Sequence, residues 1–384
     1  MSDIETLVRE TLRSNASAYV PGDLAEAEQT FVAHRRRRRA YRFAIAAAAT
    51  GAAAVVAIAL VSTRDIVKED ALPVGSQSLR VIDTVPVPAE PLAISAGPPG
   101  IWVASREAGE VTLVGRDGEI VRSYGLPGAS EIVAGGARAW AGGQSGHVVA
   151  YDEETLEQID FEVFNNMSAS VVDMAVGGTM HGAAWSVDSA GCVMDLTNPG
   201  PDFDCNAPEG FDPEELQPTD VATDDDETWL LDGEQGELYQ LRADPGVNEG
   251  RAVGTGPVDL PTTPRGKYAD LLVAADAIWV TGEGGNMMRF DLETGERTYT
   301  ELGGDYADLA TGFRWVWALV GFEGADRGTV VRIDPETGEV VGEELTLSGK
   351  PSDITIDGGG ASGIWVTLRD ANEVARIEFE NGDL

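Results

Sequence analysis

Lysine is nearly absent from this chain: three residues in 384, Lys68, Lys267 and Lys350. Histidine is equally scarce (His34, His147, His181), and there are two cysteines, Cys192 and Cys205. Positive charge as a whole is short, with 27 Lys and Arg against 65 Asp and Glu and a net charge of −38. The shortage is uneven. Residues 1–64 hold nine Arg and six acidic residues, so residues 65–384 carry −41. A field of that sign repels phosphate backbones, which argues against nucleic acid as a partner of the larger part. Several catalytic signatures are missing too: no Gly-x-Ser-x-Gly elbow, no Gly-x-x-x-x-Gly-Lys phosphate loop, no His-Glu-x-x-His and no tandem Cys pair. No catalytic residue is assigned from the sequence. What is present is a globular composition, 43% hydrophobic with 46 Gly and 19 Pro, which excludes a disordered or collagen-like chain.

The run Phe43–Val61 holds 19 residues without a charge, ten of them Ala, close to the ~20 needed to cross hydrocarbon. Arg35 to Arg39 and Arg42 precede it, and Arg64 and Lys68 follow. That imbalance predicts a single-pass cell-membrane protein, with residues 1–42 in the cytoplasm and the C-terminal part outside. A cleaved signal peptide is the competing reading, but 42 residues before the apolar run are too many for one. The arm reads as helical: Ser2 and Glu5 fit a capping box, and Ile4, Leu7, Val8 and Leu12 recur at helical spacing. About forty residues with so few apolar side chains build no core of their own. Such an arm, followed by an Arg run and an Ala-rich span, resembles those of actinobacterial membrane proteins, some of them anti-sigma factors. The zinc-type anti-sigma motif is missing here.

The remainder is repetitive. Seven of the eight tryptophans stand in similar surroundings: Trp102, Trp140, Trp185, Trp229, Trp279, Trp317 and Trp365, spaced 38, 45, 44, 50, 38 and 48 residues apart. Upstream of each runs a short apolar segment, opened by an acid in six copies: Glu131, Asp173, Asp220, Asp270, Asp308 and Asp353. Pro91 takes that place in the first copy. Downstream comes Gly-x-(Val/Leu/Met), at Gly109, Gly146, Gly191, Gly236, Gly285 and Gly328, with Asn372 in the last copy. Each unit thus holds three or four short alternating segments separated by Gly-, Asp- and Pro-rich turns. Asp291–Glu296 and Asp334–Glu339 read as tight hairpin turns in which Gly supplies φ > 0. One four-stranded sheet of this size cannot bury both faces, whereas radial stacking of several does. The expected fold is an all-β, seven-bladed propeller over 79–384, after a cytoplasmic arm (1–42), a transmembrane helix (43–61) and a linker (62–78). The last copy lacks a fourth strand, and Leu79–Val87 aligns with the outer strand of the copy before it. The N-terminal strand is therefore expected to close the ring and remove its open edge.

The Trp spacing and the Asp-x-x-Thr-Gly-Glu turns resemble the streptogramin lyase, YVTN and NHL family of propellers, across residues 79–384. The resemblance implies the fold. In the lyases, activity depends on histidines and a glutamate around a metal at the channel mouth. His147 and His181 do not occupy equivalent repeat positions, so no lyase site is carried over.

Four candidate features remain. Cys192 and Cys205 flank Asn198–Asp202, with their midpoint inside that turn, which suits a disulfide across a hairpin; a metal site would need further soft ligands. The tryptophans read as inter-blade packing, with ligand stacking as the alternative. The six acids Glu131, Asp173, Asp220, Asp270, Asp308 and Asp353 share one repeat position, so they form a ring near one mouth of the channel. They can accept backbone N–H groups in their own turns, or bind a cation such as Ca2+. Finally, Arg265, Lys267 and Tyr268 in one long link, and Phe322 in another, mark an irregular rim suited to ligands. The sequence thus points to a tethered binding, sensor or scaffold module for a protein, peptide or glycan. A metal-assisted lyase or hydrolase at the channel mouth is the alternative.

Overall fold

The computed structural model describes residues 78–135, 137–143, 147–159, 171–176, 184–188, 193–196, 218–224, 227–243, 252–260, 268–282, 284–322, 324–358 and 363–379. The expected arm, the span Phe43–Val61, linker residues 62–77 and both cysteines lie outside them. Among the described residues no helix is long and apolar enough to cross a membrane.

Each repeat forms an antiparallel sheet whose strands follow chain order from the inside out. In the first these are Pro91–Gly97, Gly100–Ser105, Glu110–Val114 and Ile120–Gly125. Equivalent four-stranded sheets begin at Glu131, Pro218, Tyr268 and Tyr306. The last sheet takes Pro351–Asp357, Gly363–Leu368 and Glu373–Phe379 from the C-terminal repeat. Its outer strand is Leu79–Pro86, paired from Leu79 opposite Phe379 to Pro86 opposite Glu373 with a register shift between Val81 and Asp83. Inner strands pack each on the next, and Pro351–Asp357 packs on Pro91–Gly97, so the ring closes as the sequence required.

The expectation of seven four-stranded blades needs correcting. Six sheets have four strands; the third repeat contributes three, Val171–Val176, Ala184–Asp188 and Val193–Asp195. Its continuation, residues 197–217, falls outside the described residues, so no outer strand is assigned there.

The repeated Trp sits on the second strand and fills the gap to the following blade. Trp102 packs against Ile132, Ala139 and Tyr151, and Trp317 against Ile354, Ile364 and Phe379. Trp102, Trp279, Trp317 and Trp365 are 0% exposed, Trp229 1% and Trp140 3%. None of these six offers a face for a ligand, which settles their role as packing. The turn between second and third strands needs a left-handed residue. Gly109, Gly236 and Gly285 supply it at φ 62, 71 and 67, and Asn372 does so at φ 56, which is why an Asn could replace the glycine. In the turn Asp334–Glu339, Gly338 has φ 76 and Asp334 Oδ1 accepts the Glu336 and Thr337 amides at 2.8 and 3.1 Å. The sequence reading missed a third copy of this turn, Asp152–Glu157, where Leu156 takes φ 57 in place of glycine.

Candidate functional site: the acid ring

The six acids do converge. Glu131 feels the charge of Asp173 in the next repeat and of Asp308 on a distant blade, which requires their side chains to gather on the channel. A β-bulge helps to aim them. In three repeats the ladder slips between the residue two before the acid and the acid itself, Val171/Asp173, Pro218/Asp220 and Tyr268/Asp270, and the first repeat slips likewise at Pro91/Ala93. In the last repeat the slip spans Pro351/Ile354. A bulge takes one residue out of the ladder and redirects its neighbours.

The amide after the acid then becomes available to the preceding blade. Val221 N–H donates to Asp173 Oδ2 at 2.8 Å, and Leu271 N–H donates to Asp220 Oδ2. Ile354 N–H donates to Asp308 Oδ2 at 3.0 Å, and Ile94 N–H donates to Asp353 Oδ2 at 2.7 Å. The Leu309 amide likewise stabilises the Asp270 carboxylate. Three of these acids also accept the next amide of their own strand, as Asp220 Oδ1 does from Val221 at 2.6 Å. Each such acid ties its own blade to the following one. Two hydroxyls do similar work two residues further on: Thr355 Oγ1 accepts the Ala96 amide at 3.1 Å, and Ser95 Oγ accepts that of Ala134 at 2.9 Å.

These bonds also correct the alignment of the first repeat. Ile94 is bonded as Ile354 is, so the acid's equivalent is Ala93. Pro91 stands two places earlier, with Pro218, Tyr268, Tyr306 and Pro351.

Electrostatics sets a second constraint. Asp220 is 7% exposed, and Asp173, Asp270, Asp308, Asp353 and Glu131 are half-buried. Burial pushes every one of the six above the usual carboxylate range. The charge of Asp173 adds to the shift at Asp220, and that of Asp308 adds to it at Asp270 and Asp353. From Asp173 through Asp220, Asp270 and Asp308 to Asp353 each acid acts on its neighbour's carboxyl, so the proton affinity of one depends on the state of the next. Among the described residues, no group of three His, Cys, Asp or Glu is arranged to hold a metal ion.

Of the four rim residues, the two that lie among the described residues, Tyr268 and Phe322, are not exposed. Tyr268, expected on the surface, is 4% exposed, because it opens an inner strand where Pro218 and Pro351 stand in other repeats. Burial raises its hydroxyl to about 12. Phe322, also expected to face ligand, is half-buried beside Leu302, with the Arg327 guanidinium 5.5 Å from its ring centre. Arg265 and Lys267 lie outside the described residues.

No family model matches the chain, and no curated protein matches its sequence. Solved structures do match in fold, 1282 chains in all, and a likeness so widely shared identifies architecture rather than activity. One of them, described as the structure of U3-55K, superimposes with a TM-score of 0.59 at 10% identity, covering 78% of this chain and 98% of that one.

Proposed function

We propose that this chain is a membrane-tethered, extracytoplasmic propeller that works as a binding, sensor or scaffold module for a protein, peptide or glycan. The observation that carries the reading is the use to which the acid ring is put. The carboxylates an enzyme would direct at a substrate are bonded instead to backbone amides of the next blade. That makes the mouth a stiff frame, and propellers with stiff frames present ligands to their loops. The tether is inferred from Phe43–Val61 and the Arg run before it. The Asp-x-x-Thr-Gly-Glu turns support a streptogramin lyase, YVTN or NHL kind of repeat, and the three-stranded third sheet is read as the remaining blade of a seven-bladed ring.

Protease added to spheroplasts tests the topology: the propeller should be degraded and the arm 1–42 protected, and the reverse pattern would contradict the tether. Metal analysis of the gently purified protein tests the function. A substoichiometric content is expected, and a tightly bound metal at one per chain would favour the lyase or hydrolase instead.

A further inference from the structure

The joints between blades repeat, and one of them holds a charge-bearing group with nothing to answer it. In the first blade Arg116 stands three residues after Leu113, the cross-strand partner of Trp102. In the second blade Glu153 stands three residues after Ala150, the partner of Trp140. Arg116 and Glu153 therefore share one repeat position, in the turn between third and fourth strands. Each reaches the last residue of the preceding blade's inner strand: Asp357 for Arg116, Gly97 for Glu153.

The joint between the last and first blades is complete. Arg116 donates from Nε and Nη2 to the two oxygens of Asp357, at 2.6 and 3.0 Å. It also donates to the carbonyls of Pro98 and Gly97, at 2.7 and 2.9 Å. At the next joint the same two positions hold Glu153 and a glycine. A Cβ on Gly97 would fall 1.9 Å from Glu153 Oε1, so the carboxyl fills the space a side chain occupies at the other joint. Glu153 is 6% exposed, and neither of its oxygens has a hydrogen-bond partner among the described residues.

The groups around it give an ionised carboxylate little support. Asp152 precedes it in the same turn and is itself an acid, with Arg138 across the strand on the Asp152 side. Glu154 follows in the exposed part of that turn. Arg116, bonded to the Gly97 carbonyl, is committed to Asp357. From the first blade the Trp102 indole is the group favouring the charge, although its N–H meets no acceptor in hydrogen-bonding geometry. Burial, and after it the Asp152 charge, push the Glu153 carboxyl above its usual range.

We propose that Glu153 is a proton-operated latch on the joint between the first and second blades, neutral while the joint is shut and loosening it when the proton leaves. A buried carboxylate that the Trp102 indole supports only weakly, and that has no counter-charge, is unstable in place, so its ionisation favours opening towards water.

The test compares melting of the full-length protein and its Glu153→Gln variant between pH 4.5 and 9. Gln keeps the shape and removes the titration. An unfolded Glu loses its proton near pH ~4.3, while the folded one keeps it to higher pH, so through that window the wild type loses stability faster than the variant, in which only the other raised carboxyls titrate. The variant should gain on it by about 2–4 °C per pH unit there, and by a constant amount above. Parallel curves would overturn the latch. Hydrogen exchange on the wild type gives a reading that needs no variant. After correction for intrinsic base catalysis, opening at the Ala134 amide, bonded to Ser95 across this joint, should rise with pH relative to Ala96 at the other joint. A constant ratio would overturn it too.

Discussion

Asp220 accepts the amide of Val221 in its own strand with one oxygen and that of Leu271 in the next blade with the other. Replacing it by Ala would strand a buried N–H of the neighbouring blade, at a cost of about 1–3 kcal/mol. Asn keeps an acceptor oxygen and loses the charge. Because burial and the charge of Asp173 hold the Asp220 carboxyl up, its contribution declines as pH rises through the raised value. The Asp220→Asn protein should therefore match or exceed the wild type at pH 8 while Asp220→Ala falls below it, as urea unfolding at fixed pH would show. Equal losses in both variants would mean that the charge, rather than the acceptor, matters. The sequence displayed this residue plainly, because an acid recurs at fixed spacing from Trp. It did not display Glu153, whose significance appears only when strand register aligns it with Arg116.

At the scale of elements, the strand Leu79–Pro86 carries more than its composition suggests. Five of its residues are exposed in succession, yet its pairing with Glu373–Phe379 is what joins the first described strand to the last. Supporting contacts sit beside it: Glu90 pairs with Arg369, and its amide donates to Asn372 Oδ1 at 2.9 Å. A protein starting at residue 87 would leave Glu373–Phe379 as an unpaired edge. It should lose cooperative melting and associate, as size-exclusion chromatography would detect, whereas one starting at 78 should remain folded and monodisperse. Equal behaviour of the two would contradict closure by this strand. The closure was legible because Leu79–Val87 aligns with the outer strand of the sixth repeat. The bulges were not, since a one-residue slip leaves the alternation of apolar residues nearly intact, and so Pro91 was aligned where Ala93 belongs. Tyr268 was misread for a related reason. On an acidic surface a Tyr beside Lys and Arg suggests a contact patch, but its place two before the acid is a packing position.

For the propeller as a whole, the ring of acids is where a structural and a metal-binding account separate. Six carboxyls with raised proton affinity form a ring that a divalent cation could in principle displace protons from. Yet Asp173, Asp220, Asp308 and Asp353 each give an oxygen to an amide of the following blade. Residues 65–384, with a net charge of −41, are also stabilised by any salt, since screening weakens self-repulsion. The decisive measurement is the melting temperature in millimolar calcium against sodium chloride at matched, high ionic strength, with EDTA as the baseline and Asp220→Asn with Asp308→Asn as the control. Acids that act as struts predict that sodium chloride reproduces the calcium effect in both proteins. A calcium shift of several degrees that survives high salt and vanishes in the double variant would contradict it.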